Sequence, residues 1–452
     1  MIRRVLSAIA AIARSSSIAM LGANFSASML GFATGIITAR ALGPEGRGDL
    51  AVITFWPAIM ALLVDLGLAE SITLRVAEER RASWGVVKAG LLIALAGTLV
   101  AAVAGRFLLE LALRVDQRPL LALATRYLYL FVPASLFSAV FVGALMGLQR
   151  FRAVAAVRLV AACFFLVAVT LLAWSRTASP AGLAWLTVAS TAIPIPLGAW
   201  LFWSSAEGRL ADRPMLARQA AAGVRLQGTR LAGALSALQD RATANWTLSP
   251  AEIGLYQIPA SLTYVMPVIA LSFSQVLFSR LGRVEERDRQ AEILRAFARA
   301  VVMTGGVALL LLPLLPVIVP LVYGRSFAAA AAPAAIVVVA AVLNAGSQML
   351  QSSARSALKV GVCIQAEVGA IAAMALLAWP LAHAFGPSGL AASYAVGRSA
   401  SLAWMVVRAP SVLGVERWTL FPGSKAFRAA VLADWKTLVR LFLRREDERL
   451  AA

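Results

Sequence analysis

Long blocks of sequence that contain no Asp, Glu, Lys or Arg are the feature that most constrains how this chain can fold. Ten such blocks cover residues 15–39, 50–64, 89–105, 127–149, 159–175, 177–206, 253–279, 300–324, 326–354 and 368–397. A helix needs about 20 apolar residues to cross the hydrocarbon core of a bilayer. Because 60% of the residues are apolar and only 14% are charged, a water-soluble core is excluded. The sequence therefore predicts an all-α polytopic membrane protein.

Two further features raise the predicted number of membrane spans to twelve. The last block is too long for one helix, and residues 383–389 supply a turn within it because they contain Gly and Pro. A further apolar stretch lies between Gln227 and Leu248, and Asp240 and Arg241 interrupt it. We interpret this stretch as the seventh span.

The positive charges are distributed unequally over the loops between the predicted spans. If successive loops alternate between the two sides, 32 of the 42 Lys and Arg residues lie on the side of both termini. Seven lie on the other side, among them Arg40 and Arg47. Positively charged loops stay in the cytoplasm, where they face anionic lipid. We therefore interpret the net charge of +20 as a consequence of basic cytoplasmic loops next to anionic lipid, and not as a sign of nucleic-acid binding.

Three short motifs recur later in the chain at nearly the same distance in sequence, which indicates an internal duplication. Chance similarity is the alternative. Residues 42–48 recur at 248–254 with an offset of 206. Two other segments recur with an offset of 207: residues 78–80 recur at 285–287, and residues 180–184 recur at 387–391. Six spans in each half give both halves the same orientation. We expect two bundles related by a pseudo-two-fold axis along the membrane normal, with the substrate between them.

The duplication divides the chain into five predicted units. They are an amphipathic cytoplasmic segment (1–15), a first six-helix bundle (16–206), a cytoplasmic linker (207–226), a second six-helix bundle (227–409) and a basic amphipathic cytoplasmic tail (410–452). In the tail, apolar residues follow one another at helical spacing, and the positions are Phe427, Val431, Trp435, Leu438 and Phe442. This pattern is typical of a helix on the anionic inner leaflet, and a partner protein is the alternative.

Several of these motifs resemble those of a known transporter family. Residues 39–48 read ARALGPEGRG after the first span, and residues 65–75 read DLGLAESITLR in the second. In the second half, Asp240 is followed by IGLY at 253–256 and YGRSF at 323–327. Over residues 15–410 the chain resembles polysaccharide-export flippases of the multidrug/oligosaccharidyl-lipid/polysaccharide (MOP) superfamily, which also contains MATE transporters.

The resemblance implies a function as well as a fold. Such flippases use alternating access to move undecaprenyl-pyrophosphate-linked oligosaccharide repeat units from the inner to the outer leaflet of the bacterial cytoplasmic membrane. The product is O-antigen or exopolysaccharide, so a polysaccharide polymerase or another assembly protein is an expected partner. A MATE-type multidrug antiporter and a lipid II flippase are the alternatives.

Charged residues within the predicted spans are the candidate site residues. A charge at the bilayer centre costs about 2.5–3.5 kcal/mol on insertion scales, so such groups face a bundle interior or water. The planar guanidinium group matches phosphate oxygens, which suits a pyrophosphate headgroup. The predicted substrate-binding residues are Arg241, Arg398, Arg126, Asp240 and Asp65, and the predicted ion-coupling residues are Glu70 and Glu367.

Two of these assignments have structural alternatives. Arg126 lies about one turn from the outer end of its helix, where it can also reach the lipid headgroups. Asp240 and Arg241 are neighbours, so their side chains point about 100° apart on a helix and do not face one cavity equally.

Other function classes find little support in the sequence. The chain has one His and two Cys, both in apolar blocks, so we expect neither a metal site nor a disulfide. The outer loops are short, and a catalytic triad, an acid/base pair or a phosphate-binding loop is not apparent. We expect no catalytic residues, no cofactor and no enzymatic activity.

The charge distribution predicts that both termini are cytoplasmic. A fluorescent reporter fused after Ala452 is expected to be active, and an alkaline phosphatase fused at Thr177 is expected to be active on the other side of the membrane. The reverse pattern of reporter activity would contradict this orientation.

Overall fold

The computed structural model describes residues 16–206, 231, 234–236, 238–262, 286–357 and 359–432. Within these ranges all regular elements are helices, which confirms the all-α prediction. The predicted N-terminal segment and linker, and the tail positions Trp435, Leu438 and Phe442, lie outside them.

The first half consists of long helices joined by short turns. They are α1 (Ser16–Val64), α2 (Leu68–Glu78), α3 (Ser83–Ala112), α4 (Leu121–Gly147), α5 (Phe151–Trp174), α6 (Pro180–Ala192) and α7 (Pro194–Trp203). α1 bends at Gly43, whose φ of 68° favours glycine, so it forms two legs. α6 begins at Pro180 because the preceding Ser179 hydroxyl accepts the Gly182 N–H at 3.1 Å.

Among the described residues, the second half contains five helices. Its helices are α8 (238–247), α9 (Pro250–Leu262), α10 (Glu286–Tyr323), α11 (Ala331–Ser356) and α12 (Val360–Leu413). Ser249 caps α9, and Glu252 accepts a hydrogen bond from the Ser249 N–H at 2.9 Å. α12 bends at Gly386, where φ is 55°, within the turn predicted at 383–389. α12 ends at Leu413, one turn beyond the predicted bundle boundary at residue 409.

The helices are long and apolar enough to cross a membrane repeatedly. Eight segments meet this condition among the described residues, and two of them, Phe25–Glu78 and Val360–Leu413, are 54 residues long. Each of these two bends at its positive-φ glycine and so supplies two spans. α8 and α9 stand at the positions of the remaining two predicted spans. The chain is a multi-pass membrane protein.

Matching turns support the pseudo-two-fold relation between the halves. A 3₁₀ turn, Val115–Leu120, precedes α4, and a second one, Arg325–Ala330, precedes α11. A proline starts the last span of each half, at Pro180 and at Pro387.

The second predicted span is interrupted at Asp65. α1 ends at Val64 and α2 begins at Leu68, and between them Leu66 and Gly67 have φ values of 48° and 63°. The second piece, α2, packs closely against α4, because a Cβ on Gly143 of α4 would lie 2.6 Å from the Ala69 carbonyl oxygen. The Thr73 hydroxyl donates to the Gly143 carbonyl at 3.1 Å. Small residues allow such close helix contacts in membranes.

The two halves meet where α1 packs against α9. This region contains Gly43, the ends of α3, α8 and α10, and the bend at Gly386, and we name it the Gly43 end. The charge distribution predicts that it is the outer end of the molecule.

The start of the tail corrects one sequence-based expectation. Phe427 was expected on the membrane surface, but its ring is buried and meets the Phe297 ring of α10 edge-on, with 6.3 Å between centroids. Val431 packs against the same cluster. An apolar helix face fits a protein groove as well as a lipid surface, so the pattern alone did not distinguish them.

Candidate translocation site

Arg398 and Glu367 form a buried ion pair between the two legs of α12. The Arg398 Nη1 lies 3.3 Å from the Glu367 Oε2, and the two side chains are 8% and 14% exposed. The Arg398 Nη2 donates to both the carbonyl and the hydroxyl of Ser236 at 2.8 Å. Arg398 therefore joins the last span to the seventh, and most of its donors already have protein partners.

A set of uncharged polar side chains extends this pair into α11. The Gln351 amide donates to the Glu367 Oε1 at 2.8 Å and to the Ser347 hydroxyl at 3.2 Å. The hydroxyls of Ser347 and Ser401 are 2.8 Å apart. Both Glu367 oxygens thus accept hydrogen bonds, as a buried carboxylate requires.

Asp240 is buried nearby on α8 but lacks a cationic hydrogen-bond partner. Its Oδ2 accepts the Tyr256 hydroxyl of α9 at 2.9 Å. Its Oδ1 is shielded from solvent and has no hydrogen-bond partner among the described residues. An unsatisfied carboxylate oxygen is costly in a protein interior, so it is a strong acceptor.

The guanidinium of Arg241, unlike that of Arg398, has no hydrogen-bond or ion-pair partner among the described residues. The residue is half-buried. It lies near Tyr256 and Tyr394, both of which experience its charge.

Tyr394 connects the charged residues of the second half. Its phenol group is within electrostatic range of Arg398, Asp240, Arg241 and Glu367, and the Arg398 guanidinium carbon lies 5.1 Å from the centre of its ring. Four of the seven predicted site residues therefore come together in one cluster. We name this cluster, which consists of Asp240, Arg241, Glu367 and Arg398, the second-half charge cluster.

The other three predicted residues are in the first half. Asp65 is buried at the break between α1 and α2. Glu70 is exposed and borders a cavity of about 530 Å³ together with Thr73 and Arg158. Arg126 is exposed and shares its helix face with Leu130, whose exposed fraction is 53%. This apolar neighbour favours the alternative interpretation that Arg126 faces lipid and its headgroups.

Arg47 is a polar contact between the halves that the sequence analysis missed. It was counted as an outer-loop charge, but it lies within the second leg of α1 and its side chain turns inward. Nη1 donates to the Gly35 carbonyl at 2.7 Å and to the Thr38 hydroxyl at 2.8 Å, and Nη2 donates to the Ser261 hydroxyl of α9 at 3.3 Å. Only its position, three residues after the helix-starting Pro44, could have indicated this placement.

The uncharged members of the network were also missed. Ser236, Gln351 and Tyr394 carry no charge, and uncharged polar residues are common in membrane helices, so no sequence pattern separates these three from other polar residues. Among the described residues, no group of three His, Cys, Asp or Glu side chains is placed to hold a metal ion.

The comparison with protein families identifies the chain. Residues 13–285, which are more than half of it, match the family model of polysaccharide biosynthesis proteins. The chain belongs to the polysaccharide biosynthesis protein family. No curated protein gives a significant match.

Solved structures share the fold at low sequence identity. The lipid II flippase MurJ in an inward closed conformation is 12% identical, with a TM-score of 0.73 over 94% of this chain and 93% of that chain. An inward-facing MATE-family multidrug resistance transporter of the MOP superfamily is 15% identical, with a TM-score of 0.69 over 86% and 96%. An outward-facing one is 14% identical, with a TM-score of 0.55 over 88% and 95%. The MOP resemblance is thus confirmed at the level of the fold.

Removal of one member of the buried ion pair is expected to destabilise the protein. Arg398→Met leaves Glu367 buried without its cation, which costs about 3–5 kcal/mol, and Glu367→Gln leaves Arg398 in the same situation. The double variant is expected to lose less stability than the sum of the two single losses. Thermal unfolding of the purified protein in detergent measures this.

Arg408→Met is the matched control. Arg408 is exposed on the same helix and lies over the Trp404 ring, so its replacement is expected to change the unfolding temperature little. Additive losses in the Arg398 and Glu367 variants would show that the two groups do not interact.

Proposed function

We propose that this protein is a flippase for undecaprenyl-pyrophosphate-linked oligosaccharide repeat units. It moves them from the inner to the outer leaflet of the bacterial cytoplasmic membrane by alternating access, for polysaccharide assembly. The family match supports a role in polysaccharide biosynthesis, and the shared fold supports a transporter or flippase.

The observation that carries the proposal is that the Arg241 guanidinium makes no hydrogen bond or ion pair with the described residues. It lies on α8 six residues before the end of that helix at residue 247, which corresponds to about 9 Å along the helix axis. A permanent positive charge inside a membrane bundle that lacks a partner among the described residues needs an anion or water. A pyrophosphate headgroup supplies such an anion, and guanidinium binds its oxygens through two parallel hydrogen bonds.

The neighbouring groups have different roles in this proposal. Arg398 positions Glu367 and the seventh span through its existing contacts, so it reaches cargo only if that network rearranges. Asp240 faces Tyr256 and offers its free oxygen to sugar hydroxyls. Ion coupling through Glu70 and Glu367 and cargo contacts of Asp65 and Arg126 stay predictions.

The contacts between the halves suit a carrier that opens at one end at a time. α1 and α9 pack together at the Gly43 end, so this conformation is closed there. In the predicted orientation this is the outer end, and a closed outer end is the state that accepts cargo from the cytoplasm. The lipid tail remains in the bilayer while the headgroup enters.

A MATE-type multidrug antiporter is the second candidate. The unpaired oxygen of Asp240 favours it, because a buried carboxylate suits a cationic drug. The two functions require opposite behaviour from the same cluster: Arg241 is essential for an anionic cargo, and Asp240 is essential for a cationic one.

Replacement of Arg241 is expected to abolish most polysaccharide export. A lost charge-assisted hydrogen bond costs about 1.5–3 kcal/mol, so Arg241→Ala should reduce export at least tenfold, and Arg241→Lys should retain part of it. The measurement is the amount of surface polysaccharide in cells that lack their own copy of the gene. Resistance to cationic drugs is measured in the same cells.

Arg106→Ala is the control for the loss of one arginine. Arg106 is exposed near the end of α3, and within the described part of the chain its ion pair is with Glu110 on the same helix, so export should be unchanged. Normal export by Arg241→Ala at normal abundance would contradict the proposal. Loss of drug resistance rather than export in Asp240→Asn would support the antiporter, and accumulation of lipid II in the deletion cells would support a lipid II flippase.

A further inference from the structure

The repeated Pro/Gly motif brings the two halves into direct backbone contact. Gly48 of α1 lies against the backbone of Pro250 at the start of α9, and a Cβ at Gly48 would overlap the Pro250 carbonyl oxygen. Gly254 of α9 lies in the same way against the Pro44 carbonyl of α1. Both carbonyls belong to the main chain, so neither can move aside as a side chain would.

These two contacts are related by the internal duplication. Pro250 follows Pro44, and Gly254 follows Gly48, by the same offset of 206 residues. Each glycine therefore contacts the equivalent of its own half's proline in the other half. Reciprocal contacts of this kind occur where a two-fold axis passes through an interface. The pseudo-two-fold axis thus passes between the two motifs at the Gly43 end.

A second pair of reciprocal contacts surrounds the glycines. Arg40, at the end of the first leg of α1, donates to the carbonyls of Leu321 and Val322 at the end of α10, at 2.6 and 2.8 Å. Trp246, which follows Arg40 by 206 residues, donates its indole N–H to the Ala112 carbonyl at the end of α3, at 3.0 Å. These carbonyls are at helix C-termini, where they have no partner within the helix.

The two contact types have different chemistry. The Pro/Gly contacts involve only backbone, so the surfaces can separate without any side chain changing its rotamer. The helix-end carbonyls bound by Arg40 and Trp246 can bind water instead when the halves part. Arg47 and Gln117 add hydrogen bonds across the same boundary, to Ser261 at 3.3 Å and to the Asn245 carbonyl at 2.9 Å. These contacts pack the two halves closely together in the closed state and still allow the halves to separate.

We propose that the two Pro/Gly contacts form a symmetric interface, the Pro/Gly joint, that closes the Gly43 end. The hydrogen bonds that Arg40 and Trp246 donate to the opposite half act as latches, because they hold this interface closed. Because the joint is complete only when both glycines touch the opposite prolines, one added methyl group on either side prevents closure. The repeated motif then has a conformational function, which is separate from cargo binding and does not depend on the identity of the cargo.

The test measures the separation of the two halves at this end. Spin labels are placed at Thr177 and Ser326, which are exposed loop positions of the first and second halves, after replacement of Cys163 and Cys363. The distance distribution is recorded in proteoliposomes without cargo. We expect a short-distance population in the parent protein, which falls at least twofold in Gly48→Ala and in Gly254→Ala as longer distances appear.

Two glycines supply the controls. An added Cβ at Gly31 of α1 or at Gly369 of α12 meets nothing within 4 Å, so Gly31→Ala and Gly369→Ala should leave the distances unchanged. If either joint variant fails to fold, Arg40→Gln combined with Trp246→Phe tests the latches without a steric clash, and it should also broaden the distribution toward longer distances.

Two results would overturn the inference. One is an unchanged short distance in folded Gly48→Ala and Gly254→Ala proteins, and the other is equal shifts in the joint variants and the control variants. Both results concern distances in the absence of cargo. They are therefore independent of whether Arg241→Ala exports polysaccharide.

Discussion

An ionised side chain within a membrane must be neutralised or reach water, and this constraint organises the interior of the second half. Arg398 and Glu367 neutralise each other, Gln351 donates to Glu367 and Ser236 accepts from Arg398, while the Arg398 Nε is buried without a hydrogen-bond partner among the described residues. Asp240 is only partly satisfied, by Tyr256. Arg241 is left with a charge that the described protein groups do not neutralise. With two cations and two carboxylates the cluster is neutral overall, and Arg241 and Asp240 are its two members without an oppositely charged hydrogen-bond partner among the described residues.

The second-half charge cluster and the Pro/Gly joint depend on different kinds of interaction. The cluster uses charge and is confined to one half, whereas the joint uses backbone packing and requires both halves. α8 and α9 connect them, because α8 carries Arg241 and Trp246 and α9 carries Tyr256 and Gly254. A movement of these two helices that opens the joint also moves the groups that face the cargo.

Much of the fold could be predicted from the sequence because its signals are local and periodic. Charge-free blocks indicated the spans, and residues 383–389 indicated the bend at Gly386. Arg47 and Phe427 were assigned to the wrong surroundings, because a charge near a turn can point inward and an apolar helix face does not specify what covers it. The partners of Arg398 lie 31 and 162 residues away in the chain, and sequence spacing carries no information on such contacts.

The most direct test of the account is translocation by the purified protein in vesicles that contain an undecaprenyl-pyrophosphate-linked oligosaccharide in both leaflets. An impermeant glycosidase added outside should consume only the outer pool in empty vesicles and both pools when the protein is present. Arg241→Ala should return the result toward that of empty vesicles. Consumption of the outer pool alone, by vesicles that contain folded wild-type protein, would contradict the proposal that this protein carries a lipid-linked headgroup across the membrane.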